Sequence, residues 1–276
     1  MERRSDRRWI LQIVLIVWAV IQLFPLYWLF AFSLKSNEEI FGENIIGLPH
    51  QFLWKNYETA IVGANIGRFF LNSVIVVGCT VILTSIISLF ASYALCRMRW
   101  KLSKVFLGLL MIGLMIPMHA ALLPVMLMLK HMNLLGGYLS LIIPYTAFAI
   151  PMTLLIFIGF LAGIPVELEE AACIDGCNIY QMVFKVIFPL MKPAVATAGI
   201  FTFVNCWNEL MFANTFVNST EYKTLTTGIQ TLAGQYNTTW GPIGAALVLA
   251  TFPTVIIYIL LAKQVQKSLV LGAVKG

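Results

Sequence analysis

The sequence predicts an all-α polytopic membrane protein with six transmembrane helices. Three observations predict it: 60% of the 276 residues are hydrophobic, only 11% are charged, and the apolar residues fall in long continuous stretches. A soluble domain carries roughly a quarter charged residues, so this chain lacks the polar surface that water requires. Strands of a membrane barrel would alternate apolar and polar residues over about 10 positions, so the continuous stretches exclude a barrel.

Six stretches contain the about 20 mostly apolar residues that a helix needs to cross the hydrocarbon core of a bilayer. They are residues 9–32, 69–95, 105–123, 138–161, 194–217 and 242–262. The first follows four arginines, as the core of a signal peptide would. It is longer than such a core and lacks a small-residue cleavage pattern, so we expect it to stay in the protein as a membrane anchor.

The lysines and arginines outside these stretches predict the orientation of the chain. Thirteen fall at the two ends and in the connections after the second and fourth spans, whereas five fall in the other loops. Positive residues favour the cytoplasmic side, so both termini are predicted to be cytoplasmic. The net charge of +6 and the pI near 9.1 therefore reflect the orientation of the chain in the membrane. We expect this chain to contact lipid and not nucleic acid.

The sequence offers no candidate catalytic or metal site. It has no phosphate-binding G-x-x-x-x-G-K-[ST] stretch and no H-E-x-x-H or G-x-S-x-G motif. The three histidines are scattered, and Cys173 and Cys177 have no second pair of ligands nearby. We therefore expect no enzymatic activity, no metal and no cofactor on this chain.

The connection between the fourth and fifth spans predicts two short helices. Pro165 suits the first position of a helix, acidic residues follow in the first turn, and Gly176 suits a left-handed end. Asn178 can then cap a second helix with Gln181 in the capping-box position, until Pro189 and Pro193 are expected to end it.

The first of these helices carries a narrow apolar stripe. Leu168, Ala171 and Ala172 lie at positions i, i+3 and i+4, and the alanines would let a neighbour approach closely. This pattern is typical of a docking surface, and equally of a linker that lies against the membrane.

Residues in this connection resemble a known signature. Glu170-Ala171-Ala172, three residues, Gly176, nine residues, Val186, one residue, and Phe188-Pro189 resemble the EAA signature of ABC-importer permeases, with Val186 and Phe188 in place of the usual Ile and Leu. Similarity to the carbohydrate branch, and to its maltose-type subunit, extends to Ile174-Asp175-Gly176, Phe188-Pro189-Leu190 with Pro193, Trp207-Asn208-Glu209 and the terminal residues 272–276.

The resemblance implies a type I ABC importer permease fold, with residues 1–276 as a single permease domain in the inner membrane. Residues 163–193 would form a cytoplasmic coupling loop, hereafter the EAA loop, and residues 263–276 a cytoplasmic tail. The implied partners are a second homologous permease, two cytoplasmic ATPases that bind ATP and magnesium, an extracytoplasmic solute-binding protein and a carbohydrate. The implied ATPase-coupling residues are Glu170, Ala171, Ala172, Asp175 and Gly176, and we place Leu168 of the apolar stripe with them. The resemblance also implies that the tail can reach toward the ATPases, but Lys275 is explained at least as well as a positive residue that anchors the chain on the cytoplasmic side.

Polar residues in the fifth span are candidates for a substrate path. Asn205, Asn208 and Glu209 share one helical face, and Trp207 could offer an aromatic surface to a sugar ring. Helix pairing by the asparagines is the alternative. Since Glu209 is the one carboxylate placed in a span, an ion-coupled secondary transporter is a second hypothesis, and a membrane scaffold without transport is a third.

Overall fold

A computed structural model of the chain describes residues 2–42, 44–98, 100–233 and 238–273. Within these ranges the regular secondary structure is helical throughout. Helices long and apolar enough to span a membrane are Leu11–Ser33, Ile66–Cys96, Leu139–Leu161, Ile179–Trp207 and Trp240–Ala262, and a bent pair of helices adds one more candidate. The predicted all-α polytopic fold is confirmed.

The α-helices follow one another with short connections. In chain order they are α1 (Glu2–Ser33), α2 (Asn37–Phe41), α3 (Lys55–Glu58), α4 (Ile66–Cys96), α5 (Ser103–Ile112), α6 (Leu122–His131), α7 (Leu139–Leu161), α8 (Glu167–Ile174), α9 (Ile179–Gln181), α10 (Phe188–Trp207), α11 (Met211–Phe216), α12 (Leu225–Thr231) and α13 (Trp240–Ala273). The tail expected from residue 263 is thus helical as far as Ala273, and Lys275 lies outside the described residues.

The third predicted span, residues 105–123, contains a sharp bend. The helical segments Ser103–Met115 and Met118–His131 meet at 95°. Ile116 is extended with ψ of 113°, as expected for a residue that precedes a proline, and Pro117 has no backbone N–H to continue the helix. The break at Pro117 therefore turns the chain through nearly a right angle within the third predicted span.

The expectation that Pro189 and Pro193 end a helix is wrong. The helical segment runs from Ile179 to Trp207, with Pro189 in the first turn of α10 and Pro193 inside it. A π-helical segment, Met182–Ile187, immediately precedes α10, so the chain enters the proline region with a widened turn. The carbonyl of Pro193 accepts a hydrogen bond from the Thr197 hydroxyl at 2.9 Å.

The chain divides into two compact units, residues 1–68 with 228–252, and residues 69–227 with 253–276. The second unit contains two buried apolar clusters. One surrounds Tyr145 and Phe212, and the other surrounds Phe157, Ile187 and Met191. Since α7 contributes to both clusters, it forms the central element to which the candidate site residues are attached.

In the first unit, a glycine allows α13 to lie against α1. A Cβ atom added at Gly244 would lie 2.6 Å from Phe32 Cδ1 and 3.0 Å from Ser33 Cα. We expect Gly244→Ala to lower the free energy of unfolding by about 1–3 kcal/mol because the two helices must separate. Thermal unfolding of the detergent-solubilised protein measures this loss.

Gly78→Ala in α4 is the matched control, because a Cβ atom there meets nothing within 4 Å. Both substitutions gain the same helix propensity, so the difference between the melting temperatures of the two variants measures the effect of the contact alone. Equal melting temperatures for the two variants would contradict the close approach.

Candidate functional site

The first helix of the EAA loop ends in a left-handed turn at Gly176. Helix α8 begins at Glu167, two residues after Pro165, and Gly176 has a φ of +79°. The Cys177 N–H donates to the Ala172 carbonyl and the Gly176 N–H to the Cys173 carbonyl, each at 3.0 Å. These two bonds form a Schellman motif, and the predicted helix end is confirmed.

The second helix of the loop starts with the predicted capping box. The Asn178 side chain accepts from the Gln181 N–H at 2.9 Å, and the Gln181 side chain accepts from the Asn178 N–H at 3.0 Å. The turn from α8 to α9 is therefore fixed by local hydrogen bonds on both sides.

Helix α8 has one buried and one open face. Glu169 and Ala172 are each 7% exposed and face the protein. Leu168, Ala171 and Asp175 lie at i, i+3 and i+7 on the open face. Glu170 and Gly176 are also exposed. Five of the six predicted coupling residues are thus accessible to a partner, whereas Ala172 packs inward and does not share the surface of Leu168 and Ala171.

Glu169 is the residue of this loop that sequence reasoning did not single out. Its Oε1 lies 2.7 Å from Nε of Arg97, which follows the end of α4. The pair is 72 positions apart, and the only sequence signal was that Arg97 belongs to a group of positive residues.

A cavity of about 660 Å³ lies in the second unit, beside the break between α10 and α11. Its wall has a polar part, formed by His119, Tyr145, Thr153, Thr202, Asn205, Asn208 and Glu209, and an apolar part that includes Met118, Phe148, Met152 and Phe201. Three of the four predicted substrate-path residues, Asn205, Asn208 and Glu209, therefore line one cavity.

Glu209 organises the wall of this cavity. Its carboxylate accepts hydrogen bonds from the Phe212 N–H at 2.8 Å, the Ala213 N–H at 3.1 Å and the Tyr145 hydroxyl at 2.5 Å. The His119 Nε2 atom lies 3.7 Å from the same carboxylate. The Glu209 side chain is 4% exposed, so this carboxylate holds the first turn of α11 against α7 from within the protein.

Trp207 does not reach the cavity. Its ring stacks on Phe203 with centroids 5.2 Å apart and meets the edge of Phe70 at 5.6 Å, and the residue is 4% exposed. The aromatic surfaces that do line the cavity belong to Tyr145, Phe148 and Phe201. Sequence reasoning missed them because Tyr145 and Phe148 lie on α7 and Phe201 lies eight residues before Glu209.

Residues 84–270 match the family model of the binding-protein-dependent transport system inner membrane component. The chain belongs to this family. The predicted resemblance to ABC-importer permeases is thereby confirmed, and with it a place among inner-membrane transport components.

Named relatives of this permease family align along nearly the whole chain. It is 36% identical to the sulfoquinovosyl glycerol transport system permease protein SmoH of Agrobacterium fabrum, over 92% of this chain and 89% of that protein. It is 32% identical to the diacetylchitobiose uptake system permease protein NgcG of Streptomyces coelicolor, over 97% and 90%. A solved bacterial ABC transporter that imports alginate contains a chain of the same fold, with a TM-score of 0.81, 23% identity and coverage of 94% and 97%.

Proposed function

We propose that this permease is one of two related pore subunits of an ATP-driven importer that moves a di- or oligosaccharide into the cytoplasm by alternating access. The observation that carries the proposal is the geometry of α8. The C-terminal end of the helix is fixed by two hydrogen bonds, one face is held by the protein, and the other presents Leu168, Ala171 and Asp175. A helix built in this way can transmit a push from a partner without changing its own shape.

The cavity chemistry supports a carbohydrate as the cargo. Asn205 and Asn208 can exchange hydrogen bonds with sugar hydroxyls, since an amide both donates and accepts. Phe148 and Phe201 offer apolar faces to the C–H surfaces of a ring. The relatives named above transport a sugar glycerol and a chitobiose derivative, which supports the same substrate class here.

The proposed assembly follows from this role. Two cytoplasmic ATPases bind ATP and magnesium, and their closure moves the EAA loop, because the permease chain itself has no phosphate-binding motif. A second permease completes the pore. An extracytoplasmic binding protein delivers the substrate, in keeping with the family description. Both termini are assigned to the cytoplasm on the distribution of positive residues.

The contacts of Glu209 disfavour an ion-coupled transporter. A coupling ion or proton would need access to a carboxylate with free acceptor capacity. Three of the about four acceptor positions of the Glu209 carboxylate are already taken by protein groups. We therefore assign this carboxylate to the structure of the cavity wall.

Purification of the tagged permease from its native membrane tests the proposal. We expect an ATPase and a second permease to co-purify, and vanadate-sensitive ATP hydrolysis to accompany them. A homodimer that catalyses sugar uptake in vesicles with an ion gradient and no ATP would overturn it, as would a chain recovered with neither partner.

A further inference from the structure

Helix α8 has few attachments to the rest of its unit. Of its eight residues, Glu167 to Ile174, only Glu169 and Ala172 are buried. Ala172 provides a small apolar contact, Glu169 provides an ion pair with Arg97, and the helix also packs against the π-helical segment Met182–Ile187. Movement of α8 can pass through these contacts, through the connection from α7 or through the turn that leads to α9.

Arg97 connects three elements at this point. Its Nε atom lies 2.7 Å from Glu169 Oε1, and its Nη2 group donates to the carbonyls of Leu161 at 3.0 Å and Ile164 at 2.6 Å. Leu161 is the last residue of α7, and Arg97 directly follows α4. One guanidinium group therefore joins the ends of α4 and α7 to the start of α8.

The electrostatics favour these positions. Glu169 lies in the first turn of α8, where the dipole of α8 stabilises a carboxylate. Arg97 lies beside the last carbonyls of α7, where the dipole of α7 stabilises a cation. The two side chains are 9% and 14% exposed, so solvent screens the pair little.

We propose that Arg97 and Glu169 form a joint that carries the movement of α8 into α4 and α7. They are positioning residues for transport, and the inference rests on the ATPase-coupling role proposed above. A guanidinium group suits this task because its rigid fork holds several acceptors in a fixed geometry, which the single ammonium of lysine cannot do.

The ordinary explanation of Arg97 is that it only fixes topology as one of several positive residues. Lys101 belongs to the same group and is exposed, so Lys101→Gln is a matched control that removes one positive charge. Glu167→Gln is the matched control for Glu169, because Glu167 is an exposed carboxylate in the same turn of α8. Arg97→Lys keeps the topological charge and loses the fork.

The accessibility of the cavity to a labelling reagent measures whether the joint transmits movement, and this measurement does not require the substrate to be known. A single cysteine is placed at Asn205, in the cavity wall, in a permease whose native cysteines are replaced by serine, and the complex is purified with its native partners. The rate of labelling by a maleimide is measured with and without ATP and vanadate. In this background the trapped state should change the rate by about fivefold or more, because coupling between sites has that size.

We expect Arg97→Gln, Glu169→Gln and the double neutral variant to retain ATP hydrolysis while the vanadate effect on labelling falls below about twofold. Arg97→Lys should be intermediate, and both controls should respond like the background. An unchanged vanadate response in the double variant would overturn the joint. The double variant leaves no unpaired buried charge, so loss of ATPase binding in this variant would overturn the joint as well. Absence of any ATPase or vanadate response in the background would instead contradict the proposed function.

Discussion

Replacing Gly176 with valine is expected to weaken ATPase binding and transport while the membrane-spanning helices stay folded. Gly176 has a φ of +79°, a conformation that costs an L-residue about 1–2 kcal/mol and is least accessible to β-branched side chains. A Cβ atom at this position meets nothing within 4 Å, so the strain is confined to the backbone. The end of α8 must then rearrange, and Asp175 with it.

Gly176→Asn is the matched variant, because asparagine tolerates the left-handed conformation. Co-purification of the ATPases and ATP-dependent uptake should be near normal for Gly176→Asn and reduced about tenfold for Gly176→Val, which corresponds to the cost of the backbone strain. A Gly176→Val complex that assembles, hydrolyses ATP and transports normally would show that the shape of this helix end is unimportant.

Replacing Glu209 with leucine is expected to be the most destabilising change in the cavity wall. It leaves the N–H groups of Phe212 and Ala213 and the Tyr145 hydroxyl without their acceptor. Buried donors that lose a charged acceptor cost about 3–5 kcal/mol in total. We expect a fall in melting temperature and loss of uptake together, since α11 forms part of the cavity wall through Met211.

Asn208→Leu is the control for Glu209→Leu. Its amide is exposed and, among the described residues, donates to the Val204 carbonyl at 2.9 Å in the helix that Asn208 ends, so its loss should change stability little. Glu209→Gln keeps one acceptor oxygen and should fall between the two. Melting temperatures that are equal for Glu209→Leu and Asn208→Leu would refute the structural role of the carboxylate.

The elements that sequence reasoning obtained correctly depend on neighbouring residues. The apolar stretches, the left-handed Gly176 and the box formed by Asn178 and Gln181 each express a local preference within a few positions. The same local preferences led to the wrong prediction that Pro193 ends a helix. A proline weakens an isolated helix, but buried apolar neighbours and the preceding π-helical turn keep this helix continuous.

What the sequence could not supply is the pairing of distant side chains. Nothing in the spacing indicates that Arg97 meets Glu169, or that Tyr145 meets Glu209, because both pairs form only when separate helices pack. The direction of Trp207 depends in the same way on Phe70, which lies far away in the chain. The coupling and cavity residues could thus be named individually, whereas their contacts required the fold.

The π-helical segment Met182–Ile187 also has a consequence for the angular register of the EAA loop. Such a turn contains one residue more than an α-helical path over the same length would use. Each residue of an α-helix advances the azimuth by about 100°. Deleting a single residue from this segment would therefore convert the widened turn into an α-helical one and leave the orientation of α8 about the axis of α10 nearly unchanged, whereas a deletion in the regular part of α10 would rotate α8 by about 100°.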